Sequence, residues 1–154
     1  MIGRFFISGF LTLCFFLIAF SCSSEDTVIK DNSTEIKQII DLADSGTWRI
    51  TNYVDSGNNE TNDYTGYNFT FVNGGTLTAS NGVNTINGTW SVTDQNSNDD
   101  DSNDIDFIIF FSAPPNFEEL SDDWDIVSTT DTKIELIDIS GGNGGTDTLT
   151  FEKN

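Results

Sequence analysis

The chain has 154 residues, enough for one domain once a leader is set aside. Its formal charge of −19, from 6 Lys+Arg against 25 Asp+Glu, repels a phosphate backbone and excludes nucleic acid as a natural partner. Having no histidine, it excludes histidine-dependent triads and histidine metal sites, while 13 Phe and 3 Trp point to a packed core rather than disorder.

In chain order, the first element is a leader over 1–21. Arg4 is followed by an apolar run from Phe5 to Phe20, interrupted only by Ser8, Gly9 and Thr12, and no acidic residue precedes Glu25. At about 16 residues the run is short for a membrane span and suits the h-region of a secretory signal peptide. Ala19-Phe20-Ser21 has the small-x-small pattern of a cleavage site. Cleavage there removes Cys14 and leaves Cys22 as a lone thiol in an exported chain, which calls for a chemical use. The stretch "LIAFSC" resembles the lipobox of bacterial lipoproteins, with Ala19 where Leu is commonest. That resemblance implies that Cys22 becomes the acylated first residue, carrying diacylglyceryl and a palmitate-type chain that anchors the protein in a membrane. Ser24-Glu25-Asp26 resembles the short acidic signal that sends some Gram-negative lipoproteins to the outer face of the outer membrane, implying cell-surface exposure. Asp26-Thr27-Val28 and Asp147-Thr148-Leu149 resemble an acceptor for O-glycosylation used in some of the same bacteria.

Residues 22–32 read as the lipidated cysteine and a polar tether, and 33–154 as the folded domain. Ile36, Ile39, Ile40 and Ala43 fall at i, i+3, i+4 and i+7, the stripe of a short amphipathic helix that should dock on the following strands. Asn32 and Glu35 have capping-box spacing, and Asp44-Ser45-Gly46 ends the helix.

From Gly46 the apolar period becomes two. Strands are expected over 47–54, 67–72, 76–80, 85–93, 104–112, 123–129, 132–140 and 147–153. Asn73-Gly74-Gly75 marks a hairpin between the second and third. Ile86, Gly88, Trp90 and Val92 share one face of the fourth. The fifth is apolar on both faces in its second half, which suggests double coverage or a bulge, and the phase change from Ile134 and Leu136 to Ile137 and Ile139 suggests a bulge in the seventh. Eight strands with short connections give an all-β fold. An eight-stranded up-and-down antiparallel barrel leaves no open edge, although two packed four-stranded sheets would write nearly the same pattern.

A helix followed by "SGTWRI" resembles the lipocalin signature, in which Gly-x-Trp opens the first strand, here Gly46 and Trp48. Thr130-Asp131 stands where lipocalins often have a Thr-Asp turn. Residues 46–154 resemble the small lipocalin-like domains found behind bacterial lipoprotein leaders, with "FTFVNGGTLTAS" and "INGTWSV" sharing their cadence. No Arg follows the last strand to stack on the Trp, and no disulfide is available. The resemblance implies a barrel that binds a small apolar or amphipathic molecule.

The inward aromatic candidates for such contacts are Trp48, Tyr67, Phe69, Phe71, Trp90, Phe107 and Trp124, all of which also suit a core. The alternative is a filled barrel acting as a non-catalytic surface interaction module. Loops 55–66 and 94–104 and the turn "SAPPNF" (112–117) would then carry contacts, with Phe117 either exposed or capping the barrel. No catalytic residues are expected. Asp106 is the one carboxylate in an apolar strand, and its outward phase predicts a solvated group. "DQNSNDDDSNDID" (94–106) has calcium-loop spacing at Asp94, Asn96 and Asn98 but lacks the Gly and Glu of an EF-hand. Weak Ca²⁺ binding would fall to Asp99, Asp100, Asp101 and Asp104. "GGNGGTD" (141–147) reads as a flexible turn.

Overall fold

The computed structural model describes residues 31–94, 105–139 and 145–154. Cys22, the leader, the rest of the tether, and Asp99, Asp100, Asp101 and Asp104 lie outside the described residues. Helix α1 (Ser33–Ala43) precedes strands β1 (Trp48–Asp55), β2 (Asn58–Asn59), β3 (Asn68–Val72), β4 (Thr76–Ser80), β5 (Thr85–Thr93), β6 (Asp106–Phe110), β7 (Asp122–Thr130), β8 (Lys133–Ile139) and β9 (Thr146–Lys153). A 3-10 helix (Thr61–Tyr64) links β2 to β3, and the four-residue helix α2 (Pro115–Glu118) links β6 to β7.

Each strand from β3 onward pairs antiparallel with the next, and β9 returns to β1 over six residue pairs from Trp48↔Lys153 to Val54↔Thr148. This is a closed eight-stranded antiparallel barrel, with β2 added as an extra strand on β1. Closure is narrowest at β1–β3, where Trp48↔Phe69 is the pair formed. The alternation read from the sequence sets the inside: Phe69 and Phe71, Leu77 and Ala79, Trp90 and Val92, Phe107 and Ile109, Ile134 and Leu136, and Leu149 and Phe151 are all buried. Among the described residues the hydrophobic core lies between Ile36 and Phe151, all of it within residues 31–154.

Three local expectations are corrected. β8 runs in continuous register against β9, and the irregularity sits on β7 between Ile126 and Ser128, which leaves Val127 as the extra residue, 60% exposed. Phe110 is 55% exposed, so β6 is neither doubly covered nor bulged where its sequence is apolar throughout. Asn32 is the N-cap of α1 but its side chain makes no capping hydrogen bond to the helix, and the Asp31 carboxylate accepts the Ser33 N–H at 3.0 Å.

Antiparallel order places the starts of β1, β4, β6 and β8 at one end of the barrel, with the ends of β3, β5, β7 and β9. Helix α1 closes that end. Ile39 and Ala43 are buried, Ile36, Ile40 and Leu42 pack on the core, and the Trp48 indole N–H donates to the Ala43 carbonyl at 2.8 Å. Lys153 Nζ, from the last strand, stands 5.5 Å over the Trp48 ring. At the opposite end, the 111–121 connection folds inward and buries Phe111, Phe117 and Leu120. Three rings hold it there by their polar tips: Tyr53 donates to Glu119 O at 2.7 Å, Tyr64 to Asn116 O, and Trp124 to Leu120 O at 3.1 Å. Phe117 therefore caps the barrel.

Candidate functional site

The seven aromatic residues singled out from the sequence are brought together, but as a packed interior. Trp48, Phe69, Phe71, Phe107 and Trp124 are fully buried, Trp90 nearly so, and Tyr67 half-buried. Phe71 meets Trp90, Phe107 and Phe151 at ring-centroid distances of 5.2, 5.4 and 5.3 Å. Phe69 bridges Phe151 (5.4 Å) to Phe117 (6.2 Å), and Phe117 meets Tyr64 and Tyr67 at 5.5 and 5.1 Å. Tyr53 continues from Tyr64 (5.5 Å) to Trp124 (6.4 Å). One chain of touching rings thus runs from the α1 end to the α2 end. An eight-stranded barrel is just wide enough for side chains to fill, and here rings fill it.

Open space lies outside the lumen, beside α1. A groove of about 690 Å³ separates α1 from β7. Ile39, Leu42, Ile105 and Ile126 supply its apolar surface, while Glu35, Gln38, Asp125 and Asp131 supply polar groups. The β7 irregularity builds one wall: with Val127 as an extra residue, consecutive residues from Asp125 to Asp131 all line the groove. Its size falls within the roughly 300–1,000 Å³ of small-molecule sites. A smaller concavity of about 310 Å³ lies on the other flank of α1, between Ile40, the Asn73-Gly74-Gly75 hairpin and Trp90, Ser91 and Val92. Apart from Trp90 in this smaller one, none of the seven aromatic candidates lines either space. The sequence reading missed the groove because its walls, 35–42 and 125–131, are far apart in the chain. The one local trace is the adjacent pair Ile126-Val127, which breaks the strand alternation.

No protein-family model matches the chain, and no curated protein matches it. Among solved structures, a DUF4847 family protein from Bacteroides vulgatus ATCC 8482 is similar over 75% of this chain and 97% of its own, at 19% identity and a TM-score of 0.46.

Four of the groups whose affinity for a proton is shifted, Tyr53, Glu60, Tyr64 and Asp122, lie at the α2 end. Asp122 is pushed up to about 6 by burial and by its hydrogen bond with neighbouring Asp123. Glu60 is raised by desolvation and then by the adjacent Glu119. The Tyr53 and Tyr64 phenols are raised by burial and by surrounding carboxylates, which keeps them neutral donors to the backbone of the cap. Asp106, expected to be solvated, is instead only 3% exposed and pairs across the sheet with Thr93 and Asp125. Among the described residues no group of three or more His, Cys, Asp or Glu is arranged to hold a metal ion.

Proposed function

We propose that this chain is a lipid-anchored envelope protein, attached through Cys22, whose lipocalin-like barrel binds a small apolar or amphipathic molecule in the α1–β7 groove rather than in the lumen. The observation that carries this reading is the contrast between an interior occupied by touching rings and an open groove of about 690 Å³ with apolar and polar walls. An apolar ligand portion would cover Ile39, Leu42, Ile105 and Ile126, and polar groups would meet Gln38, Thr129 or the flanking carboxylates. The barrel supplies rigidity and the helix one wall, with no chemical step required of either. The lipobox-like leader and acidic signal support a location on the outer membrane, facing outward.

Native mass spectrometry of the protein isolated gently from its own envelope tests this reading. A reproducible small adduct, released by organic solvent and lost in Gln38→Trp, which fills the groove rim, is the expected result. A bare mass that stays bare after exposure to lipid extract would overturn it and favour an accessory module acting through its outer surface, where Phe110, Val127 and Ile139 are exposed.

A further inference from the structure

Residues 64–93 contain no Asp, Glu, Lys or Arg, although these make up 20% of the chain. The stretch folds into β3, β4 and β5, side by side in the barrel wall, whereas β1 and β6 to β9 each carry at least one charged residue. The apolar residues of the three strands point inward, which leaves hydroxyls and amides on the outward phase. Thr70, Thr78 and Asn87 stand side by side across the strands, and the next row runs Val72, Thr76, Thr89 and Phe110. At the end of that row Phe110 is 55% exposed, beside a hydroxyl. A carboxylate brought out of water against a neutral partner costs free energy, and on this face there is none to desolvate. Hydroxyls and amides both donate and accept, and here they repeat at about 4.8 Å from strand to strand, which suits a partner itself made of hydroxyls. The exposed ring offers a flat apolar surface to the C–H face of a sugar ring. We propose that the outer face of β3, β4 and β5, with Phe110 at its edge, docks a neutral polysaccharide. Charge decides against a polyanionic glycan, which the net −19 repels. Area decides against a second copy of the chain. With β3 and β4 five residues long, the face out to Phe110 spans roughly 300 Å², far below the roughly 800 Å² per partner of a stable protein interface. This goes beyond the groove reading and does not depend on it. Each hydrogen bond exchanged with water contributes little, so several consecutive sugar units are needed and a disaccharide alone is not held.

Affinity electrophoresis of the intact chain tests this, in gels containing an uncharged polysaccharide (α-glucan, β-glucan, mannan or galactomannan) or the polyanion polygalacturonate. An amine-oxide detergent keeps the chain in solution, so that no detergent sugar competes. Retardation by at least one uncharged polysaccharide and none by polygalacturonate is expected, unchanged by added NaCl because no charge pair is involved. Thr78→Glu puts a carboxylate at the centre of the face and Phe110→Ala removes the ring, and each should weaken affinity about tenfold. Thr89→Glu serves should Thr78→Glu disturb folding. Thr146→Glu adds the same charge at an exposed position on β9, away from the face, and is expected to leave affinity unchanged. Oligosaccharides cut from the retarding polysaccharide should compete only from several units upward. No retardation by any uncharged polysaccharide would overturn the proposal. Retardation that survives both face substitutions, or is weakened equally by Thr146→Glu, would overturn it as well. Self-association abolished by Thr78→Glu, without retardation in any gel, would assign the face to a second copy of the chain instead.

Discussion

Gly88 shows how tightly single residues are constrained. A Cβ built there would lie 2.5 Å from the Phe110 carbonyl oxygen and 2.6 Å from the Phe111 ring, where β6 turns into the cap. Gly88→Ala is expected to destabilise the barrel by about 1 to 3 kcal/mol, read as a lower urea midpoint with an unchanged slope. Asp122 makes a prediction in pH. Its folded value of about 6 exceeds the ordinary 3.8, so the folded state holds the proton more tightly between these limits. Its unfavourable contribution is therefore full above about pH 6, relieved as pH falls through the folded value, and gone below about 3.8. Asp122→Asn should raise the melting temperature at pH 7.5 and have progressively less effect toward pH 4.5; a pH-independent effect would contradict the assignment. Neither constraint was legible in the sequence. Gly88 reads as one small residue on an inward face, and Asp122 as one of 25 acids. What distinguishes them is a carbonyl from β6 and burial beside Asp123.

At the scale of elements, the strands were legible and the devices that close them were not. Strands β4 and β5 occupy the expected 76–80 and 85–93, because alternation there is strict and Gly74 and Gly75 adopt the positive φ, 103° and 96°, of the hairpin that precedes β4. By contrast, Ser56-Gly57 forms an equally tight turn, with φ of 46° and 87°, and leads into a two-residue polar strand that carries no apolar period. Phe117 is dozens of residues away from Tyr53, Tyr64, Tyr67 and Phe69, which help to seat it, so the cap emerges only once the barrel has closed. Helix α1 was legible as a stripe, but the groove on its flank depends on where β7 gains a residue. Deleting Val127 should give regular β7–β8 pairing with Ser128 still opposite Glu135, remove the extra residue from the groove wall and weaken binding in the groove while the barrel remains folded. Amide hydrogen exchange and titration of the same sample check both parts. Ile39→Ala is expected to cost about 2 to 5 kcal/mol and to raise exchange in α1 before the strands, since it loosens the plug against an interior that is otherwise intact.

At the scale of the whole molecule, charge and core act in opposition. The closed sheet and its ring network hold together a chain with a net charge of −19, whose self-repulsion is felt over roughly 8–10 Å at physiological ionic strength. Raising NaCl from 20 to 300 mM should therefore raise the melting temperature, read by thermal unfolding. The lumen and the groove make different demands on the same scaffold: a filled interior fixes the strands, and that rigidity keeps the α1–β7 wall in place. The most direct measurement is chemical-shift mapping of residues 31–154 titrated with dodecyl maltoside, a probe that takes charge out of the comparison. Saturable shifts confined to Gln38, Ile39, Leu42, Ile126, Val127 and Thr129 are predicted. Shifts centred on Phe69, Phe71, Phe107 and Phe151 would place the ligand in the lumen and contradict the account.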